Sequence, residues 1–156
     1  MDDLAVADTG IMGHYLTLEL PCKNKQQAVH PLLIQMPNGK IITSTHTSLL
    51  SQPDLPLQAQ NAHIFPGLNK ALLSIVILCN YGCEATFNDR SVCILNKQGG
   101  KIIKRGTQDT HTNLYILNLT QKKKLMTEST TLDENFAGSV YECKSKITLV
   151  DYHHAF

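Results

Sequence analysis

This chain of 156 residues has no tryptophan, few aromatics of any kind (6%) and few charged residues (17%). Its 14 basic and 13 acidic residues leave a net charge of +1, which gives no overall field to draw it to nucleic acid. No apolar run approaches the roughly eighteen residues of a membrane-crossing helix. Two acids follow Met1 where a secretory leader would carry basic residues, so no leader is expected there. The five cysteines, Cys22, Cys79, Cys83, Cys93 and Cys143, lack paired spacing. No second Cys/His pair follows Cys79 and Cys83 at zinc-site distance, so neither a disulfide framework nor a metal site is expected. Buried thiols in a reducing, cytoplasmic setting fit better. No proline lies beyond Pro66, which divides the chain into a turn-rich front, a more regular middle and a polar tail from about Gln121. There is no internal repeat and no low-complexity segment.

What is present is a succession of short apolar stretches between turn signals. Leu4–Ala7 reads as a strand, and Tyr15–Leu20 alternates as a second, broken by Pro21 and the polar run Lys23–Gln27. Leu32–Met36 and Ile41–Leu50 flank Pro37-Asn38-Gly39-Lys40, a strong hairpin signal in which Asn-Gly tolerates positive φ at both central positions. Ala62–Phe65 is a short strand closed by Pro66-Gly67. The apolar run from Ala71 to about Tyr81 predicts the one helix, with Gly82 as its left-handed cap. Strands at Cys83–Phe87, Ser91–Leu95, Lys101–Lys104 and Leu114–Leu119 follow, the first three separated by Asn88-Asp89 and Gln98-Gly99-Gly100. Many short strands with one short helix predict an all-β fold, a small closed barrel.

The first strand delivers Asp8-Thr9-Gly10 to a tight turn. Asp, Thr and Gly are all turn residues, and the same tripeptide serves as an Asx turn after a strand. It is also the order an aspartic protease half-site needs. Asp8 would supply one of two carboxylates that hold the attacking water, Thr9 a hydroxyl to bond across the pair, and Gly10 an unobstructed backbone approach. His14 reads as a polar residue on the following strand, and His46 and His63 as ordinary strand or rim positions. Ser74 reads as a packed hydroxyl bonding back to its helix, and Lys122-Lys123-Lys124 as a solvated face.

Several of these stretches occur together, and in one order, elsewhere. Ala7-Asp8-Thr9-Gly10 with Gly13-His14-Tyr15-Leu16 comes first, then Pro37-Asn38-Gly39. Ala62-His63-Ile64-Phe65-Pro66-Gly67-Leu68, Leu72-Leu73-Ser74-Ile75 and Leu78-Cys79-Asn80-Tyr81-Gly82-Cys83 with Phe87 follow. Ile103-Lys104-Arg105-Gly106 and Asn113-Leu114-Tyr115-Ile116-Leu117 close the set. Over about residues 4 to 120 the chain thereby resembles the protease region of Copia-type retrotransposon Gag-Pol polyproteins, running into the segment before their integrase. The resemblance implies a retropepsin-like β-barrel over residues 1–105, the start of the pre-integrase segment at 106–120, and an unassigned tail at 121–156. It implies an aspartic endopeptidase with Asp8, Thr9 and Gly10 as catalytic residues. Pro37, Asn38 and Gly39 would form a substrate-binding flap.

The chain holds no second Asp-Ser/Thr-Gly, so two copies would have to pair, and an extended stretch of polyprotein would be the substrate. No metal, organic cofactor, membrane or direct nucleic-acid partner is implied. One residue departs from the family: Ile11 stands where Ala usually follows the catalytic glycine, and a branched side chain there would crowd the approach to the carboxylates. The alternative reading keeps the barrel and drops the chemistry, leaving a catalytically inactive domain for assembly or peptide binding. A nucleic-acid-associated module is disfavoured by the low net charge and by the presence of only Tyr115 near the basic residues.

Overall fold

The computed structural model describes residues 3–120. The chain runs through β1 (Leu4–Asp8), β2 (His14–Leu16), β3 (Cys22–Gln27), β4 (Leu33–Gln35), β5 (Ile41–Thr43) and β6 (His46–Leu50). A 3-10 turn at Leu57–Gln60 leads into β7 (Asn61–Ile64), β8 (Ala71–Ser74) and the helix α1 (Ile75–Asn80). β9 (Cys83–Phe87), β10 (Ser91–Asn96), β11 (Ile102–Gln108) and β12 (Tyr115–Asn118) complete it. The fold is mainly β. Ten strands form one sheet in the order β3-β6-β7-β2-β8-β1-β12-β11-β10-β9, and β4 and β5 form a separate hairpin. β11 runs through the boundary expected at residue 105, and β12 belongs to the same sheet as β1. The expected tail, 121–156, lies outside the described residues.

β1 sits at the centre, parallel to β8 on one side and antiparallel to β12 on the other. A strand buried on both faces carries a continuous apolar run, and Leu4–Ala7 is one. Its alternate residues serve different cores. Ala5 and Ala7 join a large cluster with Leu16, Leu50, Ile64, Leu73, Leu78, Val92, Ile94 and Leu117. Val6 joins a smaller one with Ile11, Ile42, Phe65, Leu68 and Leu72. Each fully buried Leu, Ile or Phe contributes roughly 1.5–3 kcal/mol, so these two clusters hold the fold.

The same logic corrects the helix expected from Ala71 to Tyr81. Leu72 faces the smaller cluster and Leu73 the larger, which a strand between two cores achieves and one face of a helix does not. Ala71–Ser74 is therefore β8, and only Ile75–Asn80 is helical; Gly82 follows it at φ 95°. The strand expected over Tyr15–Leu20 is confined to His14–Leu16, because the chain turns at Thr17, where Leu20 N–H donates to its carbonyl. The polar run Lys23–Gln27 is not a break. It falls within the edge strand β3, nearly all exposed, with Asn24 at φ 52° where its register against β6 shifts. The strand expected over Ile41–Leu50 is two, β5 in the hairpin and β6 in the main sheet.

The expected closed barrel is not formed by the hydrogen-bond ladder. β3 and β9 are the two ends of the strand order, each with one strand partner. The polar, kinked β3 does not reach across, and α1 packs against β9. The sheet still curls, since residues from β6 through to β9 share the larger cluster. Close packing between β11 and β12 depends on Gly106, where a Cβ would run into the Ile116 carbonyl.

Candidate active site

Asp8 is the last residue of β1, on the same face as Val6 by strand alternation. Its carboxyl is buried (0% exposed), and Thr9 beside it is 5% exposed. The Gly10 N–H donates to Asp8 Oδ1 at 2.7 Å, so the turn is an Asx turn as well as a carboxylate cradle. Asp8 Oδ2 and Thr9 Oγ1 are buried without any hydrogen-bond partner. Burial disfavours the charged form, pushing the Asp8 carboxyl above its ordinary value; the Gly10 N–H works against this more weakly. Tyr15 is a neighbour that the sequence did not single out. Its phenol is pushed up by burial and by the charge of Asp8, and its ring packs edge-on against Phe65 at 5.0 Å.

Ile11, the residue after Gly10, is buried. Its side chain is 6% exposed and packs with Val6, Phe65, Leu68, Leu72 and Ile42.

His14 and Ser74 are buried neighbours of the turn whose hydrogen bonds the sequence did not disclose. Both are 0% exposed. His14 Nε2 lies 2.8 Å from the Ala59 carbonyl, an acceptor only, so this nitrogen carries the proton. Nδ1 therefore keeps its lone pair and accepts the Ser74 N–H at 2.9 Å. Burial pulls the His14 pKa down to about 4, the Ala59 carbonyl opposing and the His63 charge adding a little. Ser74 lies directly beside Asp8 in the parallel β1–β8 register. Its hydroxyl donates to the Ile11 carbonyl at 2.8 Å and accepts the Ile77 N–H at 3.1 Å. It is a helix cap, not a hydroxyl within a helix, and the signal for this was a Ser directly before the first helical residue.

The expected flap is built on the β4–β5 hairpin. The Met36 carbonyl accepts the Gly39 N–H at 2.8 Å, the Met36 N–H donates to the Lys40 carbonyl at 2.7 Å, and Asn38 Oδ1 accepts the Lys40 N–H at 2.9 Å. Only Gly39 takes a positive φ, 88°. The loop is thus a three-residue turn with glycine in the left-handed position, not an Asn-Gly turn with both central residues there. The inward-facing Ile34, Met36 and Ile42 join the same cluster as Val6 and Ile11. Pro37, Asn38 and Gly39 are exposed at the tip, and their hydrogen bonds stay within the turn. Asp8, Thr9 and Gly10 are thus brought together, and the tip residues are not in hydrogen-bond contact with them.

A cavity of about 420 Å³ opens near the other end of β1, lined among others by Asp3, Leu4, Glu19, Lys70 and Asp109; no predicted site residue lines it. Among the described residues, no three His, Cys, Asp or Glu side chains gather as a metal-ligand set, no disulfide joins Cys22, Cys79, Cys83 and Cys93, and no helix is long and apolar enough to cross a membrane. No family model, no curated protein and no solved structure matches this chain.

Proposed function

We propose that this chain is a retropepsin-like aspartic endopeptidase domain of the Copia type, acting as a homodimer on extended polypeptide. The observation that carries the reading is the state of Asp8: one carboxyl oxygen is held by the Gly10 N–H, and the other is buried and unpartnered. A buried orphan carboxyl oxygen costs free energy unless something supplies its missing bond. A second Asp8 would supply it once the residues that cover the carboxyl, 0% exposed in the single chain, move aside on pairing. Two carboxyls in hydrogen-bond contact cannot both ionise, so they share one proton over a wide pH range. The ionised member would take a proton from a bound water, and the protonated member would polarise the scissile carbonyl. Thr9 Oγ1, also without a partner, is available to bond across the pair. The hairpin tip would close over the peptide, which would bind by adding a strand.

A second reading is favoured by one observation. With Asp8 inaccessible in the single chain, no peptide carbonyl reaches it unless the covering residues move. The inactive-scaffold reading keeps that cover permanently in place. Sedimentation of the purified chain, with pepstatin-sensitive cleavage followed on the same sample at mildly acidic pH, separates the two. A dimer that cleaves supports the protease; a folded monomer that never cleaves supports the scaffold.

A further inference from the structure

We propose that His14 and Ser74 are positioning residues for Asp8, a buried clamp that holds the Asp8–Ile11 turn in register with β8 and α1. The proposal rests on the protease reading for its catalytic consequence and on geometry for the clamp itself. The clamp has three fixed points. Ala59, fully buried in the larger core cluster, presents its carbonyl to His14 Nε2. His14 Nδ1 in turn fixes the Ser74 peptide, the register partner of Asp8. The Ser74 hydroxyl then ties the Ile11 carbonyl, three residues beyond Asp8, to the first turn of α1. Displacing any one of the three shifts the chain on which the carboxyl is mounted. Errors on the order of 1 Å in a reacting group cost on the order of 100-fold in rate.

The clamp also has a chemical condition. Both imidazole nitrogens are engaged, one as donor and one as acceptor, which only the neutral ring provides. A protonated His14 would set an N–H against the Ser74 N–H. Among the elements beside it, the 3-10 turn and β8 carry no ionisable side chain. β7 contributes His63, β1 contributes Asp8, and β2 contributes Tyr15. No outside carboxylate is hydrogen-bonded to either ring nitrogen to favour the charged form.

Ser74→Ala removes the hydroxyl and leaves the backbone bond to His14, and Ser74→Thr restores a hydroxyl. The test measures cleavage by the wild-type chain first, then kcat and KM for both variants, with folding checked by thermal melting. It adds the 13C titration of the Asp8 carboxyl in each protein. The clamp predicts that Ser74→Ala lowers kcat about 100-fold with KM nearly unchanged and moves the Asp8 midpoint. Ser74→Thr should recover both. A purely structural role would lower the melting temperature and leave kcat of the folded protein and the Asp8 midpoint where they were, overturning the proposal. If the wild-type chain does not cleave, the protease reading fails, and the carboxyl titration alone decides the clamp.

Discussion

The turn at Asp8–Gly10 and the turn at Pro37–Gly39 are made of the same kinds of residue and sit in opposite surroundings. Each sets a short polar side chain against a backbone N–H two residues on: Asp8 Oδ1 with Gly10, and Asn38 Oδ1 with Lys40. At the hairpin tip, water satisfies whatever the turn leaves over. Around Asp8 the side chains are shut off from the surface, and the surplus groups either find protein partners, as His14 and Ser74 do, or are left without one, as Asp8 Oδ2 and Thr9 Oγ1 are. A solvated turn is decided by its own few residues. A buried turn is decided by what the rest of the fold brings to it.

The contrast can be broken hardest at His14. His14→Ala would remove the partner of both the Ser74 N–H and the Ala59 carbonyl at a buried position, at a cost of about 4 kcal/mol, read as a lowered denaturant midpoint. A comparable loss there to that at any hairpin-tip position would undo the distinction.

Acid sharpens the contrast next. An unfolded His14 takes up a proton near pH 6.5, and the folded one resists until about pH 4. Its contribution to stability is therefore complete above pH 6.5 and is lost as pH falls between those values, by about 3 kcal/mol in all. Asp8 has the opposite slope. Its folded pKa is raised, so its contribution is present at low pH and declines as pH rises from the unfolded value through the raised one. Asp8→Asn should accordingly make the chain more stable at neutral pH and leave only slopes of the His14 sign, to which the lowered His63 and Asp109 also contribute. Melting curves from pH 3.5 to 7.5 on both proteins would show it.

The smallest effect belongs to the tip. Gly39→Ala forces a side chain into a left-handed backbone at φ 88°, costing about 1 kcal/mol, with no change in the pH slope. Chemical denaturation at two pH values checks both halves of that statement.

How far the sequence disclosed this molecule follows the same division. The strands from Cys83 onward and the hairpin signal at Pro37–Gly39 were legible, because Asn88, Asn96 and Gly39 set their own turns locally. β8 was not, since an apolar run buried on two faces has no periodicity to tell strand from helix. β3 was missed for the converse reason: a strand exposed along almost its whole length has no apolar face to mark it. Asp8, Thr9 and Gly10 were legible as a cluster because they are adjacent. The partners that fix them lie far along the chain, Ser74 sixty residues from His14 and Ala59 forty-five, and the parallel pairings of β1 with β8 and of β2 with β7 bring them in. The closed barrel was inferred from strand number, which does not report whether the two end strands meet.

Asp8 is the residue on which cleavage depends in the protease reading, and the most direct measurement compares the wild-type chain with Asp8→Asn for cleavage of an extended peptide at mildly acidic pH, with both proteins shown by sedimentation to be in the same oligomeric state. The protease reading predicts cleavage by the wild type and none by the folded variant. Undiminished cleavage by Asp8→Asn would contradict it.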